Sequence, residues 1–155
     1  MDLPWAENKI IEHSKLLANS FFFWTKKDLI NGNFDSRENS FHLYHAPFVL
    51  ISHGIENDPV FNYANQKAQE LWKLDWNSFT KMPSRLSAEQ VEAEERQRLL
   101  KEAGEKGFIS NYKGVRISSK GERFIIKDTI LWNLIDERGQ YRGQAAMFSN
   151  YEFLS

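Results

Sequence analysis

The chain has 155 residues, 20 Lys and Arg against 21 Asp and Glu, 41% hydrophobic residues and no cysteine. That length reads as one domain with enough apolar material for a core, and the missing thiols exclude disulfides, thiolate zinc sites, iron–sulfur clusters, cysteine nucleophiles and cysteinyl–flavin photochemistry. A pI near 6.4 and a mean hydropathy of −0.57 remove the basic-domain case for nucleic acid and leave no run long enough for a membrane span. Nothing at the amino terminus resembles a signal peptide, so the expected compartment is the cytoplasm. What stands out is 12 Phe, 5 Trp and 5 Tyr, and the functional question is what those rings surround.

In chain order, residues 1–30 read as a helix. Asp2 can cap it, Pro4 falls in its first turn, and Ile10, Leu17, Phe21 and Trp24 follow helical spacing. The run Phe21-Phe22-Phe23-Trp24 puts rings on nearly every face of one turn, more than one sheet surface can cover. The surplus packs within the domain or against a second chain. Residues 31–46 are polar, open on Asn31-Gly32 and read as a loop. Residues 48–53 form a short apolar run between Pro47 and Gly54, and 60–64 a second strand, together a hairpin.

Asn65 caps a helix over 66–73, and Asp75 a short turn that Pro83 stops. Ser87 and Gln90 form a capping box for a helix running to about Lys106, with Val91, Leu99, Leu100 and Ala103 inward and Gly104 or Gly107 ending it. The last third is sheet: 108–118, 123–135 and 141–151, joined by hairpin turns. In the middle strand Phe124, Ile126, Ile130, Trp132 and Leu134 alternate with Lys127, Thr129 and Asn133, the pattern of a central strand with one buried face. Five strands with a few short helices make an α+β plan.

Several runs are similar to the MEKHLA domain family in its stand-alone bacterial form. They are Ser52-His53-Gly54, Asp58-Pro59-Val60-Phe61-Asn62-Tyr63, Pro83-Ser84-Arg85-Leu86-Ser87-Ala88 and Gly114-Val115-Arg116-Ile117-Ser118-Ser119. The likeness covers about residues 43–154. The family is related to the Per-Arnt-Sim (PAS) fold, which implies a five-stranded antiparallel sheet with short helices over one face, here preceded by an N-terminal helix. It also implies a sensory or protein-interaction role. PAS relatives dimerise through an N-terminal helix and the sheet, so a homodimer is expected, with Phe21, Phe22, Phe23, Trp24, Leu131 and Ile135 as its interface. The chain ends just after the last strand, so any signal is expected to pass to another protein by contact or through a change in dimerisation.

The polar residues bear on four chemistries. Ser84 and Arg85 stand where light-oxygen-voltage domains keep a reactive cysteine and a phosphate-binding arginine. A serine cannot form the thiol adduct, and Ile126 replaces a flavin-contacting asparagine, which argues against flavin, although Arg85 can fork onto a phosphate or carboxylate. Haem lacks a ligand in the helix after residue 65, leaving His53 as the PAS-core candidate. His42 and His45 form a pair without the further ligands a metal needs. Ser52 and His53 are adjacent on a strand and point to opposite faces, and no nucleophile elbow or phosphate loop is present, so no catalytic residues are assigned. A polar set remains: His53, Asn62, Ser84, Arg85, Asn111 and Gln144 are the candidate lining of a small-molecule pocket between sheet and helices. The alternatives are a cofactor domain without the cysteinyl photocycle and a ligand-free dimerisation module.

Overall fold

The computed structural model describes residues 3–88 and 90–155 and, within 90–100, the side chains of 94, 95 and 97–99. The Asp2 cap and the inward Val91 and Leu100 fall outside this set. A 3-10 turn (Pro4–Ala6) leads into α1 (Asn8–Thr25). The stripe Ile10, Ser14, Leu17, Ser20, Phe21 is buried, as a spacing of three and four residues requires.

Residues 31–46 are not all loop. Ser36–Tyr44 form a helix, α2. Asp35 accepts from the Glu38 N–H at 2.9 Å, and the Glu38 carboxylate accepts from the Asp35 N–H at 3.1 Å, which is a reciprocal capping box. The helix crosses α1 at serines: Ser14 donates to Ser40, and Ser40 donates to the Trp5 carbonyl at 2.8 Å. Small hydroxyls let two helix backbones approach while every polar atom keeps a partner.

The strands are β1 (Val49–His53), β2 (Phe61–Ala64), β3 (Phe108–Ile117), β4 (Arg123–Ile135), β5 (Tyr141–Phe148) and β6 (Asn150–Phe153). They form one antiparallel sheet in the order β2-β1-β5-β4-β3, with β6 also on β4. Between β2 and β3 come α3 (Gln66–Trp72), α4 (Trp76–Phe79), a 3-10 turn (Ser84–Ser87) and α5 (Gln90–Lys106). Asn65 and Asp75 cap α3 and α4 as the sequence reads. Asn65 does more. Its Oδ1 accepts from Leu50 and Ala68, and its Nδ2 donates to the Leu43 and Phe48 carbonyls, so one buried amide ties α2, β1 and α3 together. The Ser87 hydroxyl donates back to the Ser84 carbonyl at 2.7 Å, and the Gln90 side chain of the expected capping box lies outside the described residues. At the other end of α5, Gly107 takes φ +92°, and the Trp24 ring lies where a side chain at 107 would sit.

The sheet is covered on both faces. On the inner face, α3, α4 and α5 close over Ile51, Phe61, Trp72, Phe79, Phe124, Leu131 and Phe148. On the outer face, α1 and α2 pack Leu17, Phe21 and Leu43 onto Leu50, Tyr63, Trp132 and Leu134. The alternation read along β4 fails at Asp128, which takes φ +52°. Asn111, on the neighbouring β3, takes φ +58° where the β3–β4 register shifts. Asp and Asn tolerate this left-handed region, and each bulge adds a residue that reverses facing. Phe124 and Ile126 face inward before the bulge; after it Leu131 faces inward and Trp132 and Leu134 outward. β5 and β6, read as one strand, part at Ser149, and Asn150 Nδ2 donates to Asp128 Oδ2 at 2.9 Å across the bulge. No helix among the described residues is long and apolar enough to cross a membrane.

Candidate functional site

A cavity of about 40 Å³ lies between the inner face and the covering helices, and its wall includes His53, Phe61, Trp72, Ser87, Arg116 and Gln144. It opens because β5 brings a small side chain, Ala146, to the inner face at that stretch of sheet. Of the six pocket residues named from the sequence, the structure brings His53 and Gln144 to the wall. Gln144 Nε2 donates to Asn133 Oδ1 at 2.7 Å, and Asn133 Nδ2 donates to the Ala103 carbonyl at 3.0 Å, so the C-terminal end of α5 is pinned to the sheet by two amides. His53 is buried, with Nδ1 3.0 Å from the Gly54 carbonyl.

The other four lie elsewhere. Asn62 accepts from the Ser52 hydroxyl at 2.6 Å and is not on the cavity wall, because the β-bulge opposite Ser52 and His53 turns it aside. Ser84 is buried in the 3-10 turn and does not reach the cavity. Arg85 is exposed and pairs with Asp58 at 3.1 Å. Asn111 is exposed and supplies the bulge in β3.

Sequence reading missed Arg116. It is only 4% exposed. Nη1 donates to the Val115 carbonyl at 2.8 Å, Nη2 donates to the Tyr112 hydroxyl at 3.1 Å, and the guanidinium lies 5.4 Å from the Tyr112 ring centre. The side chain folds back along β3 because Gly114 offers no obstacle: a Cβ there would sit 2.5 Å from the Tyr112 oxygen and 3.0 Å from Arg116 Nη1. No described carboxylate pairs with it. Trp72, fully buried on the same wall, has an indole N–H with no acceptor among the described residues. The local signal was present but inverted, since Tyr112, Gly114, Arg116 and Ser118 are buried while Val115 and Ile117 on the other face are only half-buried.

A second polar group sits on the outer face. His13 Nε2 lies 2.8 Å from Ser52 Oγ, and burial lowers its pKa to about 4. Because the Ser52 proton goes to Asn62, the neutral imidazole donates to the serine and is not placed to accept its proton. The contact is structural, not a nucleophile–base pair. Nearby, the fully buried Tyr63 hydroxyl has no partner among the described residues, and burial raises its pKa.

The proposed interface residues divide. Phe21 is buried edge-on against Trp132 at 4.9 Å, and Trp24 Nε1 donates to the Asn133 carbonyl at 2.9 Å. Leu131 faces the inner cavity, contrary to the sequence reading, because of the Asp128 bulge. Ile135 is half-buried, and its N–H donates to Ser20. Phe22 and Phe23 are 50% and 52% exposed.

The residues present do not fit a flavin or a haem. Pockets for drug-sized ligands run to roughly 300–1,000 Å³, against about 40 Å³ here. Arg85 is engaged at the surface, and apolar Ile126 lines the wall. His42 stacks on Phe34 at 4.2 Å, and His45 Nδ1 lies 2.9 Å from the Phe41 carbonyl. No described group of three His, Asp or Glu is placed to hold a metal.

Comparison with known proteins gives the family. The profile of the MEKHLA domain matches residues 11–153. Among solved structures, a PAS domain of a protein from Colwellia psychrerythraea superposes with TM-score 0.64 at 8% identity, over 76% of this chain and 95% of that one. A light-oxygen-voltage domain studied with a flavin analogue gives 0.59 at 13% identity, over 76% and 85%. The light-state dimer of the fungal blue-light photoreceptor Vivid gives 0.57 at 12% identity, over 83% and 88%. No protein with a curated description matches. Identities this low carry the fold alone, while the family profile spans nearly the whole chain. The chain therefore has the PAS fold and belongs to the MEKHLA domain family.

Proposed function

We propose that the chain is a cytoplasmic sensory module, not an enzyme, whose inner cavity takes a small molecule and passes its occupancy to a partner protein by contact. The observation that carries this reading is the convergence of buried polar groups, Arg116, Gln144, His53 and Ser87, on one small void in an otherwise apolar core. Gln144, His53 and Ser87 have protein partners, but a buried guanidinium with N–H groups that meet no described acceptor is costly beside a void unless a ligand or water meets it. The test is a thermal-shift screen of the full chain against small metabolites of varied charge, with Ala146→Leu as the cavity-filled control. A compound that raises Tm in the native chain and not in the control supports the reading. A screen in which no class of compound shifts Tm overturns it.

A second reading, homodimerisation, is favoured by Phe22 and Phe23, adjacent and half-exposed at the end of α1. Exposed neighbouring rings mark contact surfaces. Sedimentation at roughly tens of micromolar should give twice the 18.2 kDa chain mass, and the Phe22→Ser/Phe23→Ser variant should give the monomer. A monomeric native chain would end this reading.

A further inference from the structure

We infer that the inner cavity is a receptor for a small monocarboxylate, of the size of acetate or propionate, held by the guanidinium of Arg116; this rests on the small-molecule reading above. The charge is the first reason. Arginine has no accessible neutral form, so burial cannot be relieved by losing a proton, as it could for lysine or histidine. A buried cation without a counter-ion is strongly disfavoured. Arg116 is 4% exposed, and among the described residues its guanidinium hydrogen-bonds the neutral Val115 carbonyl and Tyr112 hydroxyl. Of five guanidinium N–H groups these occupy two, and the rest meet no described protein acceptor. An anion with two acceptor oxygens has the shape that matches an arginine fork.

The rest of the wall sets the ligand class. The indole N–H of Trp72, buried on the same wall without an acceptor among the described residues, adds a neutral donor. Arg116 brings a fixed positive charge to the wall, and Ile51, Phe61, Ile126, Leu131 and Phe148 supply hydrocarbon. One positive charge among apolar side chains suits one negative charge with a short alkyl tail. It does not suit phosphate or a dicarboxylate, which would leave charge uncompensated. The volume sets the length. A cavity of about 150 Å³ takes a benzene ring, and about 40 Å³ admits only a few heavy atoms. Gly114 completes the site by leaving room for the guanidinium to fold back between Tyr112 and the cavity.

The experiment titrates the full chain with sodium acetate and sodium propionate at constant ionic strength against sodium chloride. Binding is read by calorimetry and by the shift of Trp indole N–H resonances. Native protein should bind acetate or propionate, benzoate should fail on size, and acetamide, the neutral isostere, should bind at least about tenfold more weakly. Arg116→Met should remove carboxylate binding while leaving the chain folded, since replacing a buried unpaired charge by a similar apolar side chain is commonly neutral or stabilising. Should that variant fail to fold, Ala146→Leu, which keeps the arginine and fills the void, must abolish binding instead. Acetamide binding as tightly as acetate, or carboxylate binding that survives Arg116→Met, overturns the carboxylate assignment. No carboxylate binding while the screen finds another cavity ligand also overturns it and leaves the sensory reading standing. Failure of every compound ends both.

Discussion

Against the outer face of the sheet, α1 matches nearly every polar atom to a strand. Trp132 Nε1 donates to the Leu17 carbonyl, Trp24 Nε1 to Asn133, the Ser20 hydroxyl exchanges bonds with Ile135, and His13 meets Ser52. The Tyr63 hydroxyl is the exception. Against the inner face the same strands leave a void, a cation with no described counter-ion and an indole N–H with no described acceptor. One sheet thus carries a face optimised for cohesion and a face that gives up cohesion for a site, the trade expected where function needs unsatisfied groups.

The contrast can be broken most severely at Trp132. Trp132→Ala removes a fully buried outer-face ring and should cost about 3–5 kcal/mol in urea unfolding, with the inner cavity's ligand response intact in whatever fraction stays folded. A loss under about 1 kcal/mol would mean that α1 does not hold the outer face. Acid gives the next effect. With the His13 pKa lowered from 6.5 to about 4, the unfolded chain binds the proton more readily than the folded one. Stability is complete above pH 6.5 and falls as pH drops toward 4, by up to about 3 kcal/mol. His13→Gln should flatten that slope, and identical pH profiles in the two proteins would refute the assignment. Asp35→Ala, which removes the α2 cap, should cost about 1 kcal/mol, read as a lowered urea midpoint with an unchanged m-value. Smallest is Arg85→Ala. Its ion pair with Asp58 is half-exposed on both sides and should change stability by less than about 1 kcal/mol and the cavity's ligand response not at all. A lost response would return Arg85 to the site.

Much of the architecture was legible because short-range chemistry decides it. Asn65 and Asp75 announce helix starts, and the run 48–53 between Pro47 and Gly54 can only be a buried strand. Three features were not. α2 has a polar sequence with little amphipathic pattern, and only the Asp35–Glu38 capping box marks it. The face reversal in β4 depends on Asp128 adopting a left-handed backbone, which no alternation count can register in advance. The site suffered most. Along β3 the strongly apolar Val115 and Ile117 sit on the less buried face and Arg116 on the more buried one, so the rule that apolar means inward selects the wrong side. Gln144 was found because an amide beside two alanines signals both room and polarity.

The pairing of β1 with β5, Val49 opposite Phe148 and His53 opposite Gln144, sets a timetable for synthesis. The strand that opens the sheet must wait for one that leaves the ribosome roughly 5–20 s later, at 5–20 residues per second. Meanwhile β1 has a vacant edge, and α1 has no sheet on which to lay Leu17 and Phe21. Contacts so distant in sequence slow folding, and the nascent chain carries its aromatic helix in solvent throughout the delay. A reader of cellular abundance should therefore look for chaperone dependence in this protein before attributing poor accumulation to weakness of the finished fold.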